Sequence, residues 1–257
     1  MTQRRAARSG LGRPRTSLPP SFAEEARLHS EGYGLVAGLD EAGRGPLAGP
    51  VVAGVAVLPR QPEGPWVGLV RDSKQMTPAQ RERLLPQLRE SSLGLEVGIA
   101  SAAEVDELGI VGATRLAMRR ALRRLALEPD YLLLDAFPLP GVYTPQKAII
   151  HGDALCLSIA AASIVAKVTR DDIMRDFDSS YHGYGFARHK GYGTREHLKQ
   201  LARLGPCPIH RYSFAPVRDS LAGDDALFPI RPMAATSAPQ GTLSDQRGGH
   251  PMTVHQR

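Results

Sequence analysis

The sequence predicts an α/β domain: a mixed β-sheet with helices on its faces and a helical C-terminal part. Three observations point there. Short runs rich in valine and leucine are bounded by proline, glycine or acid, as strands are. Segments of helical periodicity with capping residues alternate with those runs. The first two strands are joined by a short link rich in glycine and proline, which suits antiparallel neighbours.

In chain order, residues 1–20 carry Arg4, Arg5, Arg8, Arg13 and Arg15 among Gly, Ser and Pro, with no acid. Composition makes this a disordered basic arm. The arm is expected to extend to residue 30, with a short helix over 21–30 carrying Phe22, Ala26 and Leu28 on its apolar side. Residues 35–39 and 51–58 read as two strands, the second framed by Pro50 and Pro59. Thr77 is a fitting N-cap and Pro78 a fitting first-turn residue for a helix that buries Leu84, Leu85 and Leu88. Pro86 should kink or shorten it. Residues 95–100 form the next strand, and Ser101 with Glu104 makes a capping box. From Gly112 to Leu125, Leu116, Leu122 and Leu125 recur at helical spacing while five arginines mark the solvated faces. Residues 131–134 and 146–150 are further strands. A long helix from about Cys156 to Phe177 follows, dense in alanine and serine and therefore able to approach a sheet closely. Gly183–Gly193 is a basic, aromatic loop, and Thr194 caps a helix ending near Gly205. Residues 31–222 thus make the domain, and residues 223–257, without periodicity, a disordered tail.

The totals narrow the function. A net charge of +6 favours a polyanionic partner, although the arginine-rich arm supplies part of it. Two cysteines, Cys156 and Cys207, give no disulfide framework and fit a reducing cytoplasm. No apolar run approaches the roughly 20 residues that span a bilayer, and the basic N-terminus lacks the apolar core of a secretion signal. The chain reads as soluble and cytoplasmic.

Chemistry concentrates at strand ends. Asp40 and Glu41 follow Leu39, Asp135 follows Leu134, and Asp153 comes shortly after Ile150. If those ends converge, four carboxylates share one site, and like charges that close need cations to stay ionised. Oxygen-only ligands favour Mg²⁺ or Mn²⁺ over zinc. Two such ions roughly 3.5–4 Å apart can activate a water and stabilise the leaving oxygen of a phosphodiester. Adjacent strand residues face opposite sides, so Asp40 and Glu41 share a site only if the backbone leaves β geometry there, near Ala42-Gly43. The turn that follows, Gly43-Arg44-Gly45, lets backbone N–H groups approach a ligand beside one permanent positive charge. A dinucleotide-binding reading of these glycines is excluded, because that fingerprint needs a helix straight after the turn. Here Pro46 and Pro50 frame the turn and a valine-rich strand follows.

Taken together, the segment from Gly38 to Val52, Asp72-Ser73-Lys74-Gln75, Leu134-Asp135, Gly152-Asp153, residues 161–171, His189-Lys190-Gly191-Tyr192 and His210-Arg211-x-Ser213-Phe214 resemble bacterial ribonuclease HII, in order, over about residues 33–218. The resemblance implies a ribonuclease H-like fold. It implies hydrolysis of the RNA strand of RNA–DNA hybrids and incision 5′ to single ribonucleotides embedded in duplex DNA, by two-metal-ion catalysis that leaves 5′-phosphate and 3′-hydroxyl ends. It assigns the metal-binding acids to Asp40, Glu41, Asp135 and Asp153, with two Mn²⁺ or Mg²⁺ ions present when substrate is bound. It assigns reading of the ribose 2′-OH to Gly43, Arg44 and Gly45, and packing on the neighbouring sugar to Tyr192. Lys74, Ser163, Lys167 and Arg170 become phosphate contacts, and the protein a monomer. The chain departs from the family pattern at His151, where many relatives have lysine.

Overall fold

The computed structural model describes residues 19–222; the basic arm over 1–18 and the tail over 223–257 lie outside the described residues. The chain forms α1 (Ala23–Ser30), β1 (Val36–Ala42), β2 (Val51–Val57), a 3₁₀ turn (Ser73–Gln75), α2 (Pro78–Ser91) and β3 (Gly94–Ala100). It continues through α3 (Ala102–Arg124), β4 (Tyr131–Asp135), β5 (Gln146–Ile149), α4 (Gly152–Leu155) and α5 (Leu157–Ser180), then α6 (Phe186–His189), α7 (Arg195–Leu204) and α8 (Ala215–Ala222). The sheet order is β3-β2-β1-β4-β5. β1 pairs antiparallel with β2 and parallel with β4, while β3 and β5 complete the edges antiparallel and parallel respectively. This is the mixed sheet that the element order implied.

Strand alternation divides the core between two faces. Ala37, Leu39, Val51, Ala53, Val55 and Val57 point towards α3, where Ala113, Ala117, Met118 and Ala121 meet them. On the other face, glycines bring α5 nearly onto the backbone. A Cβ at Gly38 would lie 2.3 Å from the carbonyl carbon of Ser158, and one at Gly54 would lie 2.2 Å from the carbonyl oxygen of Ala162. The small-residue helix therefore packs as its composition implied, buried around most of its girth.

Helix starts follow their caps. Thr77 with Gln80 and Ser101 with Glu104 each form a complete capping box. Two local features differ from expectation. Pro86 does not end α2, which runs on to Ser91. The turn after Ser101 and the helix after Gly112 are one element, continuous except at Gly109, whose φ of 67° and ψ of 164° break the helix. α1 is tied to the body rather than loose: Leu28 is buried, and buried Glu25 accepts the backbone N–H of Ser158 at 2.8 Å and its hydroxyl at 2.6 Å, capping the start of α5.

Candidate active site

β1 and β4 run side by side, with Leu39 opposite Leu134 in parallel register, so Asp40 and Asp135 leave the same end of the sheet. β5 stops at Ile149, and the chain turns through His151 in the left-handed region (φ 58°) into α4, which carries Asp153 in its first turn. Ala136, straight after Asp135, is also left-handed (φ 62°). Non-glycine residues held there mark strain that the surrounding packing must impose, and here two of them aim acids into one place. One carboxylate oxygen from each of Asp40, Asp135 and Asp153 lies within 4.8 Å of the others.

Glu41 does not join that set. β1 stays regular through it, pairing Glu41 with Ala53 and Ala42 with Val52, so the expected departure from β geometry is absent. Its side chain consequently leaves on the opposite pleat, lines the same cleft, and accepts from Arg44 Nη1 at 3.3 Å. Its Oε2 is buried with no hydrogen-bond partner.

The electrostatics are those of crowded, poorly solvated acids. Burial first, then the charges of Glu41 and Asp135, hold the Asp40 carboxyl well above the usual range. Burial also raises Glu41, against the pull of Arg44, and raises Asp135 although its Oδ1 accepts the Gly152 N–H at 2.8 Å. Lys74 supplies one counter-charge, its Nζ 2.9 Å from Asp153 Oδ2. The 3₁₀ turn that carries Lys74 is pinned from behind. Asp72 accepts the Lys74 N–H at 2.9 Å, and buried Arg81 donates to the Ser73 carbonyl at 2.7 Å.

A cleft of about 190 Å³ opens beside the acids, lined among others by Gly43, Arg44, Gly45, Lys74, Lys167 and Tyr192. Tyr192 is 45% exposed at its rim. A Cβ at Gly45 would lie 3.8 Å from Tyr192 Cε1, so turn and ring face each other. Lys167 reaches the cleft while its Nζ holds Asp171 at 2.6 Å.

Two expected phosphate contacts, Ser163 and Arg170, are buried and hydrogen-bonded within the protein. Ser163 is buried on α5, where its hydroxyl accepts the Ser73 N–H at 3.3 Å, so it supports the Lys74 turn instead of reaching ligand. Arg170 is 1% exposed. Its guanidinium donates to the carbonyls of Pro50 (3.0 Å), Lys190 (3.0 Å) and Ala48 (3.2 Å), so it lines the cleft with these hydrogen bonds directed into the protein.

Sequence reasoning missed the partner of Arg170. Arg211, fully buried, donates to the carbonyls of Gly43 (2.6 Å), Arg44 (2.9 Å), Pro46 (2.8 Å) and Gly49 (2.8 Å from Nη2, 3.0 Å from Nε). Two guanidinium groups thus hold the carbonyls of the turn on the protein side. The signal was visible in the His210-Arg211 motif, but nothing local indicated what it would touch.

Comparison with known proteins settles the family. A ribonuclease HII family model matches residues 37–217. The chain belongs to the ribonuclease HII family. A ribonuclease HII of Dehalococcoides mccartyi is 50% identical over 210 residues, 82% of this chain and 99% of that protein. One from Desulfitobacterium hafniense is 54% identical over 198 residues, 77% and 75% of the two chains. Among solved structures, the ribonuclease H2 of Pyrococcus horikoshii OT3 superposes with a TM-score of 0.61 at 29% identity, covering 74% of this chain and 98% of its own. A Bst-RNase HIII in complex with Mn²⁺ shares the fold at 21% identity and a TM-score of 0.61, covering 77% and 72%.

Family membership makes this a metal-dependent ribonuclease H, a hydrolase acting on RNA-containing nucleic acid. The residues fit a divalent cation on their own account. Three converging carboxylates offer only oxygen, and Glu41 adds a buried oxygen that nothing else satisfies. Among the described residues, no helix is long and apolar enough to cross a membrane.

Proposed function

We propose that this monomeric, cytoplasmic ribonuclease incises duplex DNA 5′ to single embedded ribonucleotides, as well as the RNA strand of RNA–DNA hybrids. The observation that carries the reading is the pairing of the acid cluster with a rigid turn. Gly43-Arg44-Gly45 stands beside Asp40 with the Gly43 and Arg44 carbonyls tied inward by Arg211 and Gly45 facing Tyr192. Only RNA carries a 2′-hydroxyl, and a site that presents fixed polar groups to it tells a ribonucleotide from its deoxy neighbours. A turn whose carbonyls are already committed to guanidinium groups meets that hydroxyl without rearranging.

Asp40, Asp135 and Asp153, with Glu41 alongside, would hold two Mn²⁺ or Mg²⁺ ions, which supply activation of the attacking water and stabilisation of the leaving 3′ oxygen. The chain's own groups do the rest. The Tyr192 ring offers apolar area to the sugar next to the scissile phosphate and a hydroxyl at its edge. Lys74 and Lys167 line the cleft as positive charges for the phosphates, making affinity salt-dependent. Ser163 and Arg170 shape that surface from beneath.

The test is a duplex containing one ribonucleotide, assayed with each metal against a long hybrid. Incision 5′ to the ribonucleotide, leaving 5′-phosphate and 3′-hydroxyl ends, is expected. Cleavage of the hybrid alone would instead identify an enzyme that needs runs of ribonucleotides. Asp135→Asn should abolish cleavage of both substrates while retaining binding, since the amide keeps an acceptor for the Gly152 N–H. Undiminished cleavage would refute the metal assignment.

A further inference from the structure

Beneath the loop that carries Tyr192, three imidazoles and a thiol are packed out of solvent: His189, His197, His210 and Cys207 are 8%, 0%, 1% and 8% exposed. The His189 and His197 rings stack with centroids 4.4 Å apart, and His197 Nε2 faces His210 Nε2 at 3.0 Å.

Their hydrogen bonds admit one arrangement of protons. The Tyr192 carbonyl can only accept, so His197 Nδ1, 2.9 Å away, donates to it. Neutral His197 then has an acceptor at Nε2, and the proton between the two rings belongs to His210. That leaves His210 Nδ1 as an acceptor, and it takes the backbone N–H of Cys207 at 2.9 Å, with the thiol 3.2 Å away. The Cys207 carbonyl lies farther from the same nitrogen, at 3.3 Å, and accepts the backbone N–H of His210 at 2.9 Å. His189 is fixed in the same way: Nε2 donates to the Tyr184 carbonyl at 2.8 Å, and Nδ1 accepts the Gly191 N–H at 3.2 Å. Burial favours the neutral form of two of these rings, lowering His197 and, with the neighbouring His197, holding His210 at about 4.

The chain of bonds joins the two halves of the proposed recognition surface. At one end it grips the Tyr192 carbonyl. At the other, His210 is bridged to Ala48, and the next residue is Arg211, whose N–H donates to the Leu47 carbonyl at 2.8 Å. Leu47 in turn donates to the Gly191 carbonyl at 2.8 Å. We propose that the ordered series Cys207, His210, His197, Tyr192 carbonyl sets the position of the Tyr192 loop against the Gly43–Gly49 turn, which makes His197 and His210 positioning residues for the selection of a ribonucleotide. This role rests on the function proposed above.

Two measurements test it. ¹⁵N spectra of imidazole-labelled protein at neutral pH, assigned with single-histidine variants, should show His197 protonated on Nδ1 and His189 and His210 on Nε2. A His197 proton on Nε2 would overturn the ordered series, whatever the enzyme cuts. Kinetics then separate positioning from packing. His197→Phe fills the space without a donor, whereas His197→Asn keeps an N–H close to the place of Nδ1. With Mn²⁺, the phenylalanine variant should lower kcat/KM for the single-ribonucleotide duplex relative to the long hybrid by about tenfold, the cost of orphaning one buried acceptor. The asparagine variant should recover most of that ratio. Equal losses on both substrates, or asparagine no better than phenylalanine, would overturn the role. If the phenylalanine variant does not fold, His197→Gln, whose N–H falls nearer the place of Nε2, takes its place and is read against asparagine in the same way. Failure of the wild type to incise the single-ribonucleotide duplex would overturn the proposed function and this recognition role with it, while the spectra still decide the proton order.

Discussion

Replacing Asp40 by asparagine removes one charge from a set in which oxygens of Asp40, Asp135 and Asp153 stand within 4.8 Å of one another. At that separation and an effective dielectric of about 20, two unit charges repel by about 3.5 kcal/mol. Two such pairs disappear with the charge, yet the gain must be smaller than their sum. Lys74 Nζ, 2.9 Å from Asp153, already offsets part of the repulsion. A carboxyl can also escape by taking up a proton, which for an ordinary aspartate at neutral pH costs about 4 kcal/mol and therefore caps the penalty. Asparagine keeps an oxygen for the Glu41 N–H, now held at 2.7 Å. The expected stabilisation is about 2 kcal/mol, a rise in Tm of about 4–8 °C for a domain of this size. The assay is a thermal melt of both proteins in EDTA and again in Mn²⁺. Metal should lift the wild type, by about 2.7 kcal/mol at a hundredfold excess over Kd, and leave the variant nearly unmoved, so that the gap closes or reverses. A variant that melts at or below the wild type in EDTA would refute the repulsion argument.

Gly38→Ala should cost about 3 kcal/mol or prevent folding, because its Cβ would meet the α5 backbone at 2.3 Å, where no rotamer change relieves it; urea denaturation measures this, and an unchanged midpoint would mean that α5 does not press on β1. Stability should also fall in mild acid. His210 is held at about 4 in the fold against an ordinary value near 6.5, so between those values the unfolded chain binds more protons than the native one. Its contribution is complete above about pH 6.5 and is lost as the pH drops towards 4, by up to about 3 kcal/mol. Urea midpoints across that window should show a slope that His210→Gln flattens.

The sheet and its acids were legible because their signals are local. Pro50 and Pro59 frame a valine run, and Asp40 and Asp135 end apolar runs that pair in register. Capping residues likewise mark helix starts through contacts only three residues away. What was not legible depends on distance or on which face is covered. Glu41 was expected inside the acid cluster, but regular alternation along β1 keeps it out of the set of oxygens within 4.8 Å, although it lines the same cleft. Ser163 and Arg170 look like exposed polar residues in a string of letters. They are buried because α5 is covered around most of its circumference, a property of the assembled layers. The role of Arg211 depends on carbonyls as much as 168 residues upstream, which no periodicity announces.

That span has a consequence for when the enzyme comes into being. The turn beside the acids leaves the ribosome as much as 168 residues before the side chain that ties down its carbonyls. Until Arg211 has been synthesised and buried, four of those carbonyl groups lack their donor, and the loop carrying Tyr192 lacks the His210 segment beneath it. The surface beside the acids is therefore assembled only once a segment more than 160 residues downstream of the turn has joined the fold.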